Sequence, residues 1–239
     1  MEMITDHFDA GADRHPDNVC LQGPGFSLTY AEVQSDAHAI GHALTSLELS
    51  CAHVGVLAPN HPLSFVAMLG ALRAGATFIP LNARDSIDSL IWFMSFTKLS
   101  VLVLHSHYFD HAERIRAGVP TLKTLIGLDE PIDGLSIASW CREHAGQQCT
   151  VRQTLDDIAL IKSSGGTTGR PKAIMQSHRA LLACYRIGNQ FMPPAKSPAH
   201  LVVAPLTHAA GATAMALSSF GTRNVIAASA DPGVVLETI

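Results

Sequence analysis

The sequence predicts an α/β fold in which largely parallel β-sheets are flanked by helices. Three observations carry that expectation. Short apolar runs recur along the chain, as at residues 53–57, 77–80 and 100–104. They are nearly continuous in apolar character rather than alternating, as strands covered on both faces require. They also take turns with longer segments of helical character, the βαβ pattern of a sheet sandwiched between helices.

In chain order, residues 4–12 read as a first helix, followed by a strand at 18–21 and a turn at Gly23-Pro24-Gly25. Leu28 and Tyr30 fall on a short strand, and Tyr30-Ala31-Glu32 opens a long helix to about residue 47. Strand 53–57, helix 63–74, strand 77–80, helix 86–97, strand 100–104, helix 109–116 and strand 124–128 follow. Residues 130–155, with Pro131, Gly134 and Gly146 among polar neighbours, read as a looser passage. A second unit starts near Asp156 with the apolar run Ile158-Ala159-Leu160-Ile161. Ala173-Ile174-Met175-Gln176 reads as a strand, with Ser177 as the cap of a helix from His178 to about Asn189. Strand 199–205, helix 210–220 and strand 224–228 come next, and Asp231-Pro232 opens a last helix as cap and first-turn proline. Two α/β subdomains are expected, residues 1–150 and residues 151–239, the second cut short.

Composition narrows the function classes. Charged residues make up 15% of the chain, against about 25% in an average soluble domain, and the mean hydropathy is +0.22. The chain therefore either buries much of itself or keeps apolar surface for contacts. A net charge of −4 with singly scattered Lys and Arg leaves no electrostatic footprint for nucleic acid or an anionic membrane. Five cysteines, odd in number and without a C-x-x-C pair, fit reduced thiols and a cytoplasmic location. The acidic N-terminus has no apolar core of a signal peptide. No apolar run approaches the ~18 residues of a membrane span.

The most informative segment is Ser163-Ser164-Gly165-Gly166-Thr167-Thr168-Gly169-Arg170-Pro171-Lys172. Glycines allow consecutive amides to turn several N–H groups toward one anion. Thr167 and Thr168 add hydroxyl donors, and Lys172 adds a point charge suited to phosphate. Pro171 stiffens the exit from the loop. A Walker loop is excluded, because there the lysine directly follows the closing glycine and a helix begins at once. Here Arg170 and Pro171 intervene and a strand follows.

Residues 164–172 resemble the signature phosphate loop of the adenylate-forming superfamily, which includes acyl- and aryl-CoA synthetases and nonribosomal adenylation domains. Three further segments are similar to family motifs, in the same order. They are Phe26-Ser27-Leu28-Thr29-Tyr30-Ala31-Glu32, the run from Ala67 to Ala76 continuing to Pro80-Leu81-Asn82, and Pro205-Leu206-Thr207-His208-Ala209-Ala210-Gly211. The resemblance covers essentially the whole chain and implies the N-terminal domain of an acyl-CoA synthetase-like fold, incomplete. It also implies a reaction: a carboxylic acid and ATP give acyl-AMP and pyrophosphate, and CoA then takes the acyl group as a thioester. Under that implication Ser164, Gly165, Gly166, Thr167, Thr168, Gly169 and Lys172 bind nucleotide phosphates, and Thr168, Lys172 and His208 are catalytic. His208, Ala209 and Gly211 bind the acid, with Ala210 completing a small-residue wall. The implied small molecules are the acid, ATP, CoA and Mg2+, the last without an acidic ligand in this chain. Ala173 departs from the family, where glycine commonly follows the lysine.

The histidine is also placed by its context, at the end of the buried run Leu201-Val202-Val203-Ala204-Pro205, where α/β sheets open their ligand crevices. An alternative metal site is the string His105-Ser106-His107-Tyr108-Phe109-Asp110-His111, which approximates a zinc-hydrolase motif with one extra residue. His38 and His42 read as surface or packing residues and Asp156-Asp157 as a solvated turn. The downstream family segments for magnesium, ribose and the catalytic C-terminal lysine do not appear, so the 239 residues are expected to be an N-terminal portion, inactive alone. A non-catalytic remnant that still binds nucleotide or acyl ligand is the second reading. The apolar Leu236/Ile239 face at the end of the chain predicts self-association or poor solubility.

Overall fold

Helix starts and strand faces follow from local chemistry. In a computed structural model, which describes residues 3–49, 52–164, 172–191, 196–227 and 229–238, the first elements are α1 (Ile4–Arg14), β1 (Val19–Gly23), β2 (Phe26–Thr29) and α2 (Tyr30–Ser46). The start of α2 is a capping box. The Thr29 hydroxyl accepts the Glu32 N–H at 3.2 Å, and the Glu32 carboxylate accepts the Thr29 N–H at 2.7 Å. The Leu-Thr-Tyr-Ala-Glu string therefore earns its form by ending one strand and starting the next helix.

The βαβ run continues with β3 (His53–Leu57), α3 (Leu63–Arg73), β4 (Thr77–Pro80), α4 (Ile87–Phe96), β5 (Val101–Leu104), α5 (Ala112–Gly118) and β6 (Thr124–Gly127). Then come α6 (Ile137–Glu143), β7 (Ile158–Ser163), β8 (Ala173–Ser177), α7 (His178–Phe191), β9 (Ala199–Val202), α8 (Ala209–Leu217), β10 (Arg223–Ile226) and α9 (Pro232–Thr238). Ser177 accepts the Ala180 N–H at 3.3 Å, and Asp231 accepts the Gly233 N–H at 2.9 Å, so both expected caps form.

Six strands form one sheet in the order β6-β5-β3-β4-β7-β8, parallel except for the β7–β8 hairpin. The second sheet runs β2-β1-β10-β9, with only β1–β2 antiparallel. Alternate residues of the six-stranded sheet feed two cores. Val54, Val56, Val101 and Val103 face the larger one, shared with α1, α2, α3 and the smaller sheet. Leu57, Ile79, Leu102 and Leu104 face the other, closed by α4 and α5. This is the α/β class the apolar runs predict. Residues Ser64 to Arg73 of α3 are all buried, which explains why its sequence is apolar all round.

Each sheet draws strands from both sides of residue 150. β7 and β8 extend the first sheet, and β10 pairs with β1. The expected boundary between residues 150 and 151 therefore does not separate the strands into two sheets. The looser passage contains α6, capped by Ser136, whose hydroxyl accepts the Ser139 N–H at 3.1 Å. The expected helix at 109–116 is instead a 3-10 turn (Ser106–His111) followed by α5. Asp129 ties down the start of that turn by accepting the Ser106 N–H at 2.8 Å. The expected strand 199–205 stops at Val202, whose carbonyl accepts the Ala227 N–H at 3.1 Å and the Asn60 Nδ2 at 3.4 Å. Among the described residues no helix is long and apolar enough to cross a membrane.

Candidate active site

The β7–β8 hairpin carries the glycine-rich segment. Its last paired residues are Ser163 and Ala173. Beyond them the Ser164 N–H donates to the Lys172 carbonyl at 2.8 Å, and the Lys172 N–H donates to the Ser164 hydroxyl at 3.0 Å. Gly165, Gly166, Thr167, Thr168 and Gly169, with Arg170 and Pro171, lie outside the described residues. Their expected roles rest on the sequence.

His208 caps the start of α8. Its N–H donates to the Pro205 carbonyl at 3.0 Å and its carbonyl accepts the Ala212 N–H at 3.2 Å, which fixes a tight turn between β9 and α8. Its ring Nδ1 lies 2.9 Å from the Thr207 hydroxyl oxygen. Burial lowers the imidazole pKa, the Asp85 carboxylate pulls it back up, and the Lys162 ammonium lowers it further. The ring is therefore neutral at pH 7, able to donate from one nitrogen and accept at the other.

A cavity of about 680 Å³ brings these groups together. Its polar lining includes Lys162, Ser164, Gln176, Thr207 and His208. Its apolar lining comes from α3 and β4 (Leu72, Phe78), from α7 (Leu181, Tyr185) and from α8 (Ala212, Ala216). Of the expected residues, Ser164, His208 and Ala209 line it, and Lys172 is an exposed residue at the hairpin exit. Gly211 is not in the described lining. It turns inward, where an added Cβ would lie 1.9 Å from the Leu206 carbonyl oxygen, so glycine is required for backbone packing rather than as a pocket wall. Ala210 is likewise buried. Lys162, Thr207 and Tyr185 were not singled out by sequence reasoning. The signal available for Lys162 was a lone basic residue on an otherwise apolar strand.

The zinc alternative does not assemble. Among the described residues no group of three or more His, Cys, Asp or Glu side chains could hold a metal ion. His105 instead accepts the His107 N–H at 3.1 Å through its own Nδ1 and places Nε2 3.4 Å from Asp129. These local bonds are those of a strand-to-turn cap, and they keep the string from converging. His42 pairs with His144 (Nδ1 to Nδ1, 3.0 Å), and the His38 ring accepts the Cys149 N–H at 3.2 Å. Asp156 pairs with Arg179 at 2.8 Å on the surface.

Known proteins resemble this chain in sequence and in fold. The family described as AMP-binding enzyme matches residues 8–239. The feruloyl-CoA synthase of an Amycolatopsis species is 29% identical over 236 residues, covering 94% of this chain and 44% of that protein. The medium/long-chain-fatty-acid–CoA/3-oxocholest-4-en-26-oate–CoA ligase of Mycolicibacterium smegmatis is 27% identical over 192 residues, 77% of this chain and 34% of that one. Among solved structures, the inhibitor-bound N-terminal domain of FACL13 from Mycobacterium tuberculosis aligns with a TM-score of 0.90 at 23% identity, over 100% of this chain and 60% of that chain. The chain spans less than half the length of these two relatives by sequence.

Proposed function

Because the chain belongs to the family of AMP-binding enzymes, we propose that its 239 residues supply the phosphate loop and a wall of the acid pocket of an ATP-dependent acyl- or aryl-CoA ligase. In this reading a carboxylate oxygen attacks the α-phosphorus of ATP and pyrophosphate leaves. The CoA thiolate then attacks the acyl carbon and AMP leaves.

The residues divide the work. The amides of residues 164–169 and the hydroxyls of Thr167 and Thr168 hold phosphate oxygens, and Lys172 neutralises charge as it moves to the leaving group. In the tautomer this reading uses, the Thr207 hydroxyl 2.9 Å away donates to Nδ1 of His208, and Nε2–H holds a carboxylate oxygen of the acid. Leu72, Phe78, Leu181 and Ala212 surround the hydrocarbon part and exclude water from it. Mg2+ belongs to the proposed chemistry as charge neutralisation on the polyphosphate. Among the described residues no group of three or more His, Cys, Asp or Glu side chains could hold it. A cytoplasmic location is part of the same proposal, supported by free thiols at Cys20, Cys141, Cys149 and Cys184.

The observation that carries the reading is the sharing of one apolar cavity by His208 and Ser164, the root of the glycine-rich loop. Calorimetry with an acyl-sulfamoyl-adenosine tests it. Binding is expected, weakened about tenfold or more by Lys172→Ala and by Thr168→Ala, a loss of the size of a charged hydrogen bond. Equal binding by these variants and the parent chain sinks the assignment. The 44% coverage of the feruloyl-CoA synthase supports a further expectation, that the chain alone binds ligand without turnover. Acyl-CoA formation by the purified chain, verified by mass, overturns that part.

A further inference from the structure

Resting on the reading of His208 as a site residue, we propose that Asn60 is its positioning residue, whose side-chain amide clamps the peptide that delivers His208 to the cavity. The Asn60 Oδ1 accepts the Leu206 N–H at 3.1 Å, and Nδ2 donates to the Val202 carbonyl at 3.4 Å. One side chain thus spans the gap between the end of β9 and the turn into α8. Leu206 is held on its other side too, since its carbonyl packs against Gly211 and its side chain is buried. With N–H, carbonyl and side chain all fixed, Thr207 and His208 have little freedom in where they begin.

Asn60 can act as a clamp because its neighbour His61 packs against residues of both sheets. It sits between Pro59 and Pro62, two residues whose φ is restricted, just beyond the C-terminal end of β3. Its neighbour His61 accepts the Leu63 N–H at 3.2 Å. The His61 ring packs 5.5 Å from the His105 ring, after β5 of one sheet, and 6.2 Å from the Phe26 ring, in β2 of the other. Only an amide matches both partners at this reach. A carboxylate accepts from Leu206 but cannot donate to Val202, and an aliphatic chain does neither.

Two measurements on the 239-residue chain test the role without using turnover, so that failure here is distinct from failure of the ligase reading. The first is an NMR titration of the His208 ring in the parent and in Asn60→Leu. The groups acting on that ring are Asp85 and Lys162, and neither is altered. Loosening the turn is expected to raise the His208 midpoint by about half a unit or more toward the ordinary imidazole value. The His178 ring, buried at the start of α7, serves as control and is expected to stay in place. The second is amide exchange at Leu206, about tenfold faster in Asn60→Leu and close to the parent in Asn60→Asp, which keeps the acceptor. An unmoved His208 midpoint with unchanged Leu206 exchange overturns the proposal. So does a parallel shift of His208 and His178, which signals general loosening. Failure of both variants to fold makes Asn60 a purely structural residue and overturns it equally.

Discussion

Ser164 and Lys172 hydrogen-bond each other twice, once through both backbones and once from the Lys172 N–H to the Ser164 hydroxyl. The pair closes the base of the glycine-rich loop and carries the β7–β8 ladder one step past its last paired strand residues. Ser164 is thereby set against the cavity that His208 also lines.

Replacing Ser164 by Ala removes one half-exposed hydrogen bond. Thermal unfolding is expected to shift by no more than that of a single such bond, about 1 kcal/mol. Affinity for an acyl-sulfamoyl-adenosine is expected to fall severalfold, because the loop base keeps only the backbone bond of its two. Calorimetry and a melting curve on the same sample separate the two effects. Unchanged affinity argues that the clamp has no bearing on the loop.

Gly211→Ala places a methyl group where the Leu206 carbonyl oxygen already sits, 1.9 Å from the ideal Cβ. Relief requires the turn or the start of α8 to move. The expected cost is about 1–3 kcal/mol, as for overpacked cores, read by urea unfolding. Parent-like stability contradicts the packing role.

Arg73 in α3 is buried and forms a two-pronged ion pair with Asp9 of α1. Asp9→Asn leaves the guanidinium with its main anionic partner gone. A loss of about 3 kcal/mol is expected, the low end for a broken buried pair because Asp9 keeps some solvent. Exchanging both residues for apolar ones of similar size is expected to cost less than the single change, and the double-mutant cycle reads the difference.

Acid sensitivity follows from the histidines. Burial, the first cause in each case, lowers the pKa of His38, His61, His105, His178 and His208. The unfolded chain then binds more protons than the native one as pH falls past the ordinary imidazole value of about 6.5, so stability is full above that value and declines toward the depressed native values. Asp36 works in the opposite sense, its carboxyl being raised by burial. Asp129, Asp156 and Asp157, which are lowered, lose their contributions only at more acid pH. Urea midpoints are expected to fall from pH 7.5 to 5.5. A flat profile across that range contradicts the assignment of neutral, buried rings.

Much of the architecture is legible from residue order because it is governed by neighbours in the chain. The capping pair Thr29/Glu32, the Ser177 and Asp231 caps and the apolar runs of β3, β4 and β5 act within a few residues of themselves. The donors and lysine expected of the glycine-rich segment are likewise contiguous in the chain. The helix α6 escaped notice because its seven residues are too few to display a period. The close approach of Gly211 to the Leu206 carbonyl was not legible, because small size serves a ligand and a carbonyl equally well until the backbone direction is known.

Long-range partners had to come from the folded molecule. Nothing near Leu21 announces that it pairs with Asn224, or that β10 enters between β1 and β9. Those choices minimise exposed edge and apolar surface over the whole chain, a condition no short window of residues contains. The same is true of Asn60 and Leu206, 146 positions apart. Local pattern decided which segments become strands and helices. Packing of the two sheets around α3 decided which of their ends meet, and so gave His208 its cavity.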